Sequence, residues 1–189
     1  MQDTKNKFYE EVIIAGFGGQ GIILAGKLLA QTAMNAGKEV TFMPSYGAEM
    51  RGGTANSTVV IADTKIASPL VSRPDSLIVM NKASLNKFAT RLKTGGLLVF
   101  NSSLIDSKPQ LDGTIDLLAV PADDIASELG NPKVANMAVL GAYLQKRGLF
   151  TPDTAAKALP AILAKRYHQT LPVNAEALHR GAEYAKRKA

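Results

Sequence analysis

The residues with chemical reach in this sequence gather in two glycine-rich stretches. One is Gly16-Phe-Gly-Gly-Gln-Gly21; the other is Pro44-Ser-Tyr-Gly-Ala-Glu-Met-Arg-Gly-Gly53. In the second, Arg51 offers a planar, permanently charged fork that suits a carboxylate or a phosphate. Its neighbour Glu49 could instead pair with it and stiffen the loop, and the residue types alone leave the two roles open. In the first, Gln20 could hydrogen-bond a ligand or tie down the turn, again an open choice. Gly16 would permit a sharp exit from a strand, Gly18 a close approach of backbone to an anion, and Gly21 tight packing of a helix on a sheet. A helix starting at Ile22 would turn its uncapped N–H groups toward that loop, as anion sites require.

Other candidates are weaker. Asn101, Ser102 and Ser103 follow a strand end, where turn chemistry explains them as well as ligand contact does. Asn136 opens an apolar helix and is expected to bond to a neighbouring loop. His168 and His179 are the only histidines, too few for a metal site, and read as surface or interface residues. No nucleophile–base pair, carboxylate dyad or metal-ligand cluster stands out, so the chain does not read as a self-contained enzyme. The chain has no cysteine, hence no disulfide and no thiolate for zinc or an iron–sulfur cluster.

The elements that position these residues are legible from pattern. Glu11–Ala15 is a short β-branched run and reads as a buried strand. Ile22–Ala36 has helical spacing and stops at Gly37. A second strand, Val40–Met43, runs into Pro44. Thr54–Ala62 is the most strand-like segment, with Ile66–Ala67 as an expected short hairpin partner. Further strands are expected at Ser76–Met80, Leu97–Asn101 and Ile115–Val120, with a short helix at Ser84–Leu92, an exposed loop at Ser102–Gly113 and a helix near Asp123–Leu129. Helices then follow over Val134–Arg147, from Thr151-Pro152-Asp153 to about Arg166, and from Val173 onward. The expected fold class is α/β: a Rossmann-like three-layer sandwich with a mostly parallel sheet and a helical C-terminal portion, one domain over residues 1–189. The two glycine loops are expected at one edge of the sheet, outside the C-terminal ends of its strands.

Strand, glycine turn and helix suggest a dinucleotide site, but the acid that should hold a ribose at the end of the second strand is missing. Glu39 precedes that strand and belongs at its other end. The net charge of +6 gathers partly in Lys165, Arg166, Arg180, Lys186, Arg187 and Lys188. That pattern fits a solvated tail that complements helix dipoles, or a face toward an acidic partner, rather than a nucleic-acid stripe. No apolar run reaches the roughly 20 residues of a membrane span and Met1–Lys7 is not a signal peptide, so a cytoplasmic location is expected.

Taken in order, Gly16–Gly21, the run Pro44–Asn56, Ser68-Pro69, Pro74-Asp75, Met80-Asn81 and Ser84–Phe88 resemble the gamma subunit of 2-oxoacid:ferredoxin oxidoreductases. The likeness extends over about Glu11 to Leu144. The form Pro-Ser-Tyr-Gly before Glu-Met-Arg-Gly-Gly is most similar to the 2-oxoglutarate or branched-chain enzymes, with the pyruvate branch as an alternative. The sequence departs from many relatives at Ala48, where proline is common, and at Ser57, where cysteine is. The resemblance implies a non-autonomous subunit of a complex that decarboxylates a 2-oxoacid, passes the acyl group to coenzyme A and reduces ferredoxin. Thiamine diphosphate and iron–sulfur clusters would sit in the alpha and beta subunits and a ferredoxin-like delta subunit. This chain would bind no cofactor alone and would form a homodimer in isolation. Its contribution would be an interface or a wall beside coenzyme A, through Gly16, Gly18, Gly19, Gln20 and Gly21 and through Ser45, Tyr46, Glu49, Arg51, Gly52, Gly53 and Thr54. The competing readings are a stand-alone nucleotide-binding oxidoreductase and a purely structural scaffold.

Overall fold

A computed structural model describes residues 8–45, 54–106, 109–111 and 113–188. Six strands form one sheet: β1 (Tyr9–Phe17), β2 (Glu39–Ser45), β3 (Thr54–Ala62), β4 (Ser76–Val79), β5 (Leu97–Asn101) and β6 (Asp116–Val120), in the spatial order β2-β3-β1-β4-β5-β6. β1, β4, β5 and β6 are parallel, and β3 runs antiparallel to both β1 and β2. The central strands are apolar on both faces: Val12–Ala15 and Leu97–Phe100 are buried throughout, as parallel strands covered on two sides must be. Edge strand β2 alternates instead, with Val40 and Phe42 packed inward while Glu39 and Met43 are exposed.

The two faces are covered unequally. On one lie α1 (Ile22–Asn35), α3 (Ala122–Glu128), α4 (Ala135–Arg147), α5 (Pro152–Ile162) and α6 (Leu171–Arg187). The other carries α2 (Lys82–Phe88) with Val71, Leu92 and Ile105. α4 is buried over ten consecutive residues, Ala135–Leu144, because the sheet and α6 enclose it. That enclosure depends on two glycines: a Cβ on Gly141 would meet the backbone carbonyl of Leu178, and one on Gly181 that of Ala138. The α/β class, the sheet rich in parallel strands and the helical C-terminal portion agree with the sequence reading.

Three local expectations need correction. Gly16 is not the strand exit; it lies inside β1, where a side chain would collide with Ile22 and Gln20. The backbone turns at Gly19 and Gly21, whose φ angles are +96° and +71°. Ile66–Ala67 forms no strand, because β2 and β1 already occupy both edges of β3. The segment 102–113 is not wholly exposed: Ile105 is 2% exposed and belongs to the smaller core. Ser57, one of the departures from relatives, is fully buried, donates to the Ile22 carbonyl at 3.3 Å and packs on Gly26.

Candidate functional site at the C-terminal edge of the sheet

β1 leads through α1 to β2 on one side of the sheet, whereas β4 lies on its other side. The strand order therefore reverses between β1 and β4, the place where open α/β sheets present a crevice. Residues 18–20 form the turn, Gly21 takes the left-handed conformation that precedes α1, and no side chain caps the helix. Among the described residues, the first N–H groups of α1 thus have neither an intrahelical acceptor nor a capping side chain.

Amide side chains line the rest of this edge. Gln20 Oε1 accepts hydrogen bonds from the Phe17 N–H at 2.7 Å and from Asn81 Nδ2 at 2.9 Å, and Gln20 Nε2 donates to the Met80 carbonyl at 3.4 Å. Asn81 Oδ1 accepts from the Ser84 N–H at 2.8 Å and caps α2. Gln20 thereby ties β1 to the end of β4 across the switch point. Protein amides bridge that crevice, which weighs against a dinucleotide lying in it. From the facing helix, Asn136 Nδ2 donates to the Gly21 carbonyl at 3.0 Å, which joins the start of α4 to the start of α1. Asn136 Oδ1 and Ser84 Oγ are buried without a hydrogen-bond partner among the described residues. At the end of β5, Asn101 Nδ2 donates to Asp123 at 2.5 Å, while its Oδ1 accepts from the N–H groups of Ser103 and Ala122. Asn101 and Ser103 therefore do turn and helix-start work. Ser45 ends β2 opposite Asn56, and Thr54 begins β3 opposite Phe17, so both flanks of 46–53 meet the edge where β1 ends. Tyr46, Glu49, Arg51, Gly52 and Gly53 lie outside the described residues. Glu39 stands at the start of β2, opposite Ala62, far from any ribose at this edge.

The opposite edge is built from charges. Glu10, 2% exposed, accepts from Ser76 Oγ at 2.6 Å, Tyr143 OH at 3.2 Å and Arg147 Nε at 2.9 Å through Oε1, and from Arg147 Nη2 at 2.5 Å through Oε2. Burial, then the Glu10 charge, raises the Tyr143 hydroxyl well above its ordinary pKa, so it stays a neutral donor. Lys93 joins Asp75 and Glu11, each at 2.8 Å. Partial burial works to lower the Lys93 ammonium, but hydrogen bonds to the two carboxylates outweigh it and the net shift is upward.

Beside the glycine turn, on the helical face, lies a cleft of about 690 Å³. Its walls come from the first turns of α1, the 3₁₀ turn Pro132–Val134, the end of α5, the 3₁₀ segment Lys165–Thr170 and the start of α6. Sequence reasoning missed it, because its residues come from segments far apart in the chain. Asn81 left a usable signal: an asparagine after a strand, three residues before Ser84, is a helix N-cap pattern. His179 lies 3.3 Å from Asp153, and His168, in the 3₁₀ segment that walls the cleft, lies 3.0 Å from the Leu163 carbonyl. Among the described residues, no helix is long and apolar enough to cross a membrane.

The fold and its open edge define a Rossmann-like α/β domain with a bridged switch point. The chain belongs to the pyruvate ferredoxin/flavodoxin oxidoreductase family, whose sequence pattern matches residues 11–184. It is 35% identical to the 2-oxoglutarate synthase subunit KorC of Methanocaldococcus jannaschii, over 98% of this chain and 99% of the relative. It is also 35% identical to the ketoisovalerate oxidoreductase subunit VorA of Methanothermobacter thermautotrophicus, over 93% of this chain but 36% of the relative. The chain thus spans little more than a third of the length of that longer relative. Among solved structures it resembles the 2-oxoglutarate:ferredoxin oxidoreductase of Magnetococcus marinus, determined with 2-oxoglutarate, coenzyme A and succinyl-CoA bound. The TM-score is 0.84 at 26% identity, covering 95% of this chain and 31% of that one.

Proposed function

We propose that the chain is the gamma-type subunit of a 2-oxoacid:ferredoxin oxidoreductase and forms a wall beside coenzyme A. The reaction is 2-oxoglutarate plus coenzyme A plus two oxidised ferredoxins to succinyl-CoA, carbon dioxide, a proton and two reduced ferredoxins. The observation that carries this reading is the edge itself: an uncapped helix start beside a glycine turn, with both flanks of 46–53 at the same place. A pyrophosphate is the sort of group to which those N–H groups donate. The 2-oxoglutarate assignment draws on the relative matched over nearly its whole length, and a panel of 2-oxoacids separates it from the ketoisovalerate and pyruvate branches. Thiamine diphosphate supplies the carbanion chemistry and iron–sulfur clusters take the electrons, both on alpha, beta and ferredoxin-like delta partner subunits. Lacking cysteine, this chain offers no thiolate to a cluster. Its own part is to orient the acyl acceptor and exclude water. The chain works in the cytoplasm, and in isolation it self-associates as a dimer.

Arg51 tests this reading. In the assembled complex, Arg51→Ala should raise the KM for coenzyme A roughly ten- to a hundredfold, the loss of one charged hydrogen bond, and leave the KM for the 2-oxoacid nearly unchanged. Equal, non-additive effects of Arg51→Ala and Glu49→Ala on assembly alone would favour the scaffold reading.

A further inference from the structure

The cleft beside the glycine turn has the size of a small-ligand site, about 690 Å³ against the usual 300–1,000 Å³. Leu24, Val134 and Ile162 give it apolar walls, and Tyr167 stands at it with its residue 47% exposed. The Arg166 guanidinium lies over that ring, 4.9 Å from its centre, so a cation covers one of its faces. Asn174 is 6% exposed; its Nδ2 donates to the Thr170 carbonyl at 2.7 Å, and its Oδ1 accepts nothing among the described residues. Among the described residues, no carboxylate lines the cleft. Lys133 does, exposed and without an ion-pair partner among the described residues. The walls thus ask for a flat, partly apolar body with an amine for Asn174 and an anionic group for Lys133.

Position narrows the ligand. Lys133 precedes Asn136 by three residues, and Asn136 touches Gly21 at the start of α1. Leu24, in the first turn of α1, also lines the cleft, so the cleft adjoins the helix start. Resting on the coenzyme A reading above, we infer that this cleft holds the adenine of coenzyme A, with the ribose 3′-phosphate on Lys133 and the ring on Tyr167. The pyrophosphate then lies over the glycine turn, and the pantetheine arm leaves toward Ser45 and Thr54.

The 3′-phosphate makes the assignment testable, because 3′-dephospho-coenzyme A lacks only that group. In the assembled complex, calorimetric titration should show wild type binding coenzyme A more tightly than the dephospho form. Lys133→Ala should weaken coenzyme A about tenfold and leave the dephospho form within twofold, which removes the preference. Tyr167→Ala should weaken both ligands alike. Lys133 is exposed, so its replacement leaves the fold intact, which circular dichroism verifies. An unchanged ratio in Lys133→Ala, or equal loss of both ligands, overturns the cleft assignment. A photoreactive coenzyme A analogue keeps the two levels apart. Labelling confined to other subunits brings down the coenzyme A reading itself; labelling of this chain with an unchanged ratio brings down the cleft alone.

Discussion

The two edges of the sheet are made of different materials. At the N-terminal edge several charges pair: Glu10 with Arg147, Lys93 with Glu11 and Asp75, Lys38 with Asp63. At the C-terminal edge the ties between elements run through amide side chains, Gln20, Asn81, Asn136 and Asn101, the last donating to the Asp123 carboxylate, and Lys133 beside them has no carboxylate partner among the described residues. α4 runs from one edge to the other, with Asn136 at its start against Gly21 and Arg147 at its end on Glu10. The difference teaches a division of labour. Satisfied charges anchor the frame at one end, and the uncapped start of α1 and an unpaired Lys133 stand at the other, the end where we propose that coenzyme A binds.

Breaking the charged edge should have the largest effect. Glu10→Ala strands Arg147 and empties the acceptor shared by Ser76 and Tyr143. Loss of a buried pair costs about 3–5 kcal/mol, and the lower end applies because the Arg147 side chain is 35% exposed. Urea denaturation of the isolated chain measures it; a loss below 1 kcal/mol would mean the edge does not anchor α4. Next comes the strut. Gly181→Ala drives a methyl into the Ala138 carbonyl and should cost about 2–3 kcal/mol with coenzyme A affinity preserved in whatever complex still forms.

The neutral edge should behave otherwise. Gln20→Ala removes the bridge between the turn and Asn81, costing about 1–2 kcal/mol of stability. Its larger effect should be on coenzyme A, whose KM rises because the turn is no longer held. A Gln20→Ala complex with wild-type kinetics would reduce the bridge to a purely structural tie. The smallest effect belongs to Asp63. Hydrogen bonds from Lys38, then from the Phe8 N–H, lower its carboxyl below the ordinary 3.8. A depressed folded-state pKa stabilises above the unfolded value, and that contribution disappears as the pH falls below 3.8 through the folded value. Asp63→Asn should therefore lower stability slightly at neutral pH, leave it unchanged below the folded value, and so flatten the acid limb of the stability curve.

What the sequence disclosed follows the same divide between local and non-local. β3 was legible end to end, Thr54–Ala62, because β-branched residues fill it and turn residues bound it. The start of α5 was equally clear: Thr151 Oγ1 accepts from the Thr154 N–H and Pro152 takes the first helical position. Its end was not. The spacing continues to Arg166, but Pro160 lacks the N–H that would bond back along the helix, and Leu163 is extended. That early stop makes room for Tyr167 and the cleft. β3 pairing on both edges was also hidden, since its partner β2 is joined through eight intervening residues with no tight-turn signature, and β1 is remote in sequence. Gln20 looked open to either role; three hydrogen bonds now show that it ties the turn.

Hydrogen exchange on the assembled complex, with and without coenzyme A, tests the contrast between the edges most directly. The account predicts slowed exchange in residues 18–24 and 131–136, and no change in residues 9–11 or around Arg147. Protection confined to other subunits, or spread equally over both edges of this chain, would contradict it.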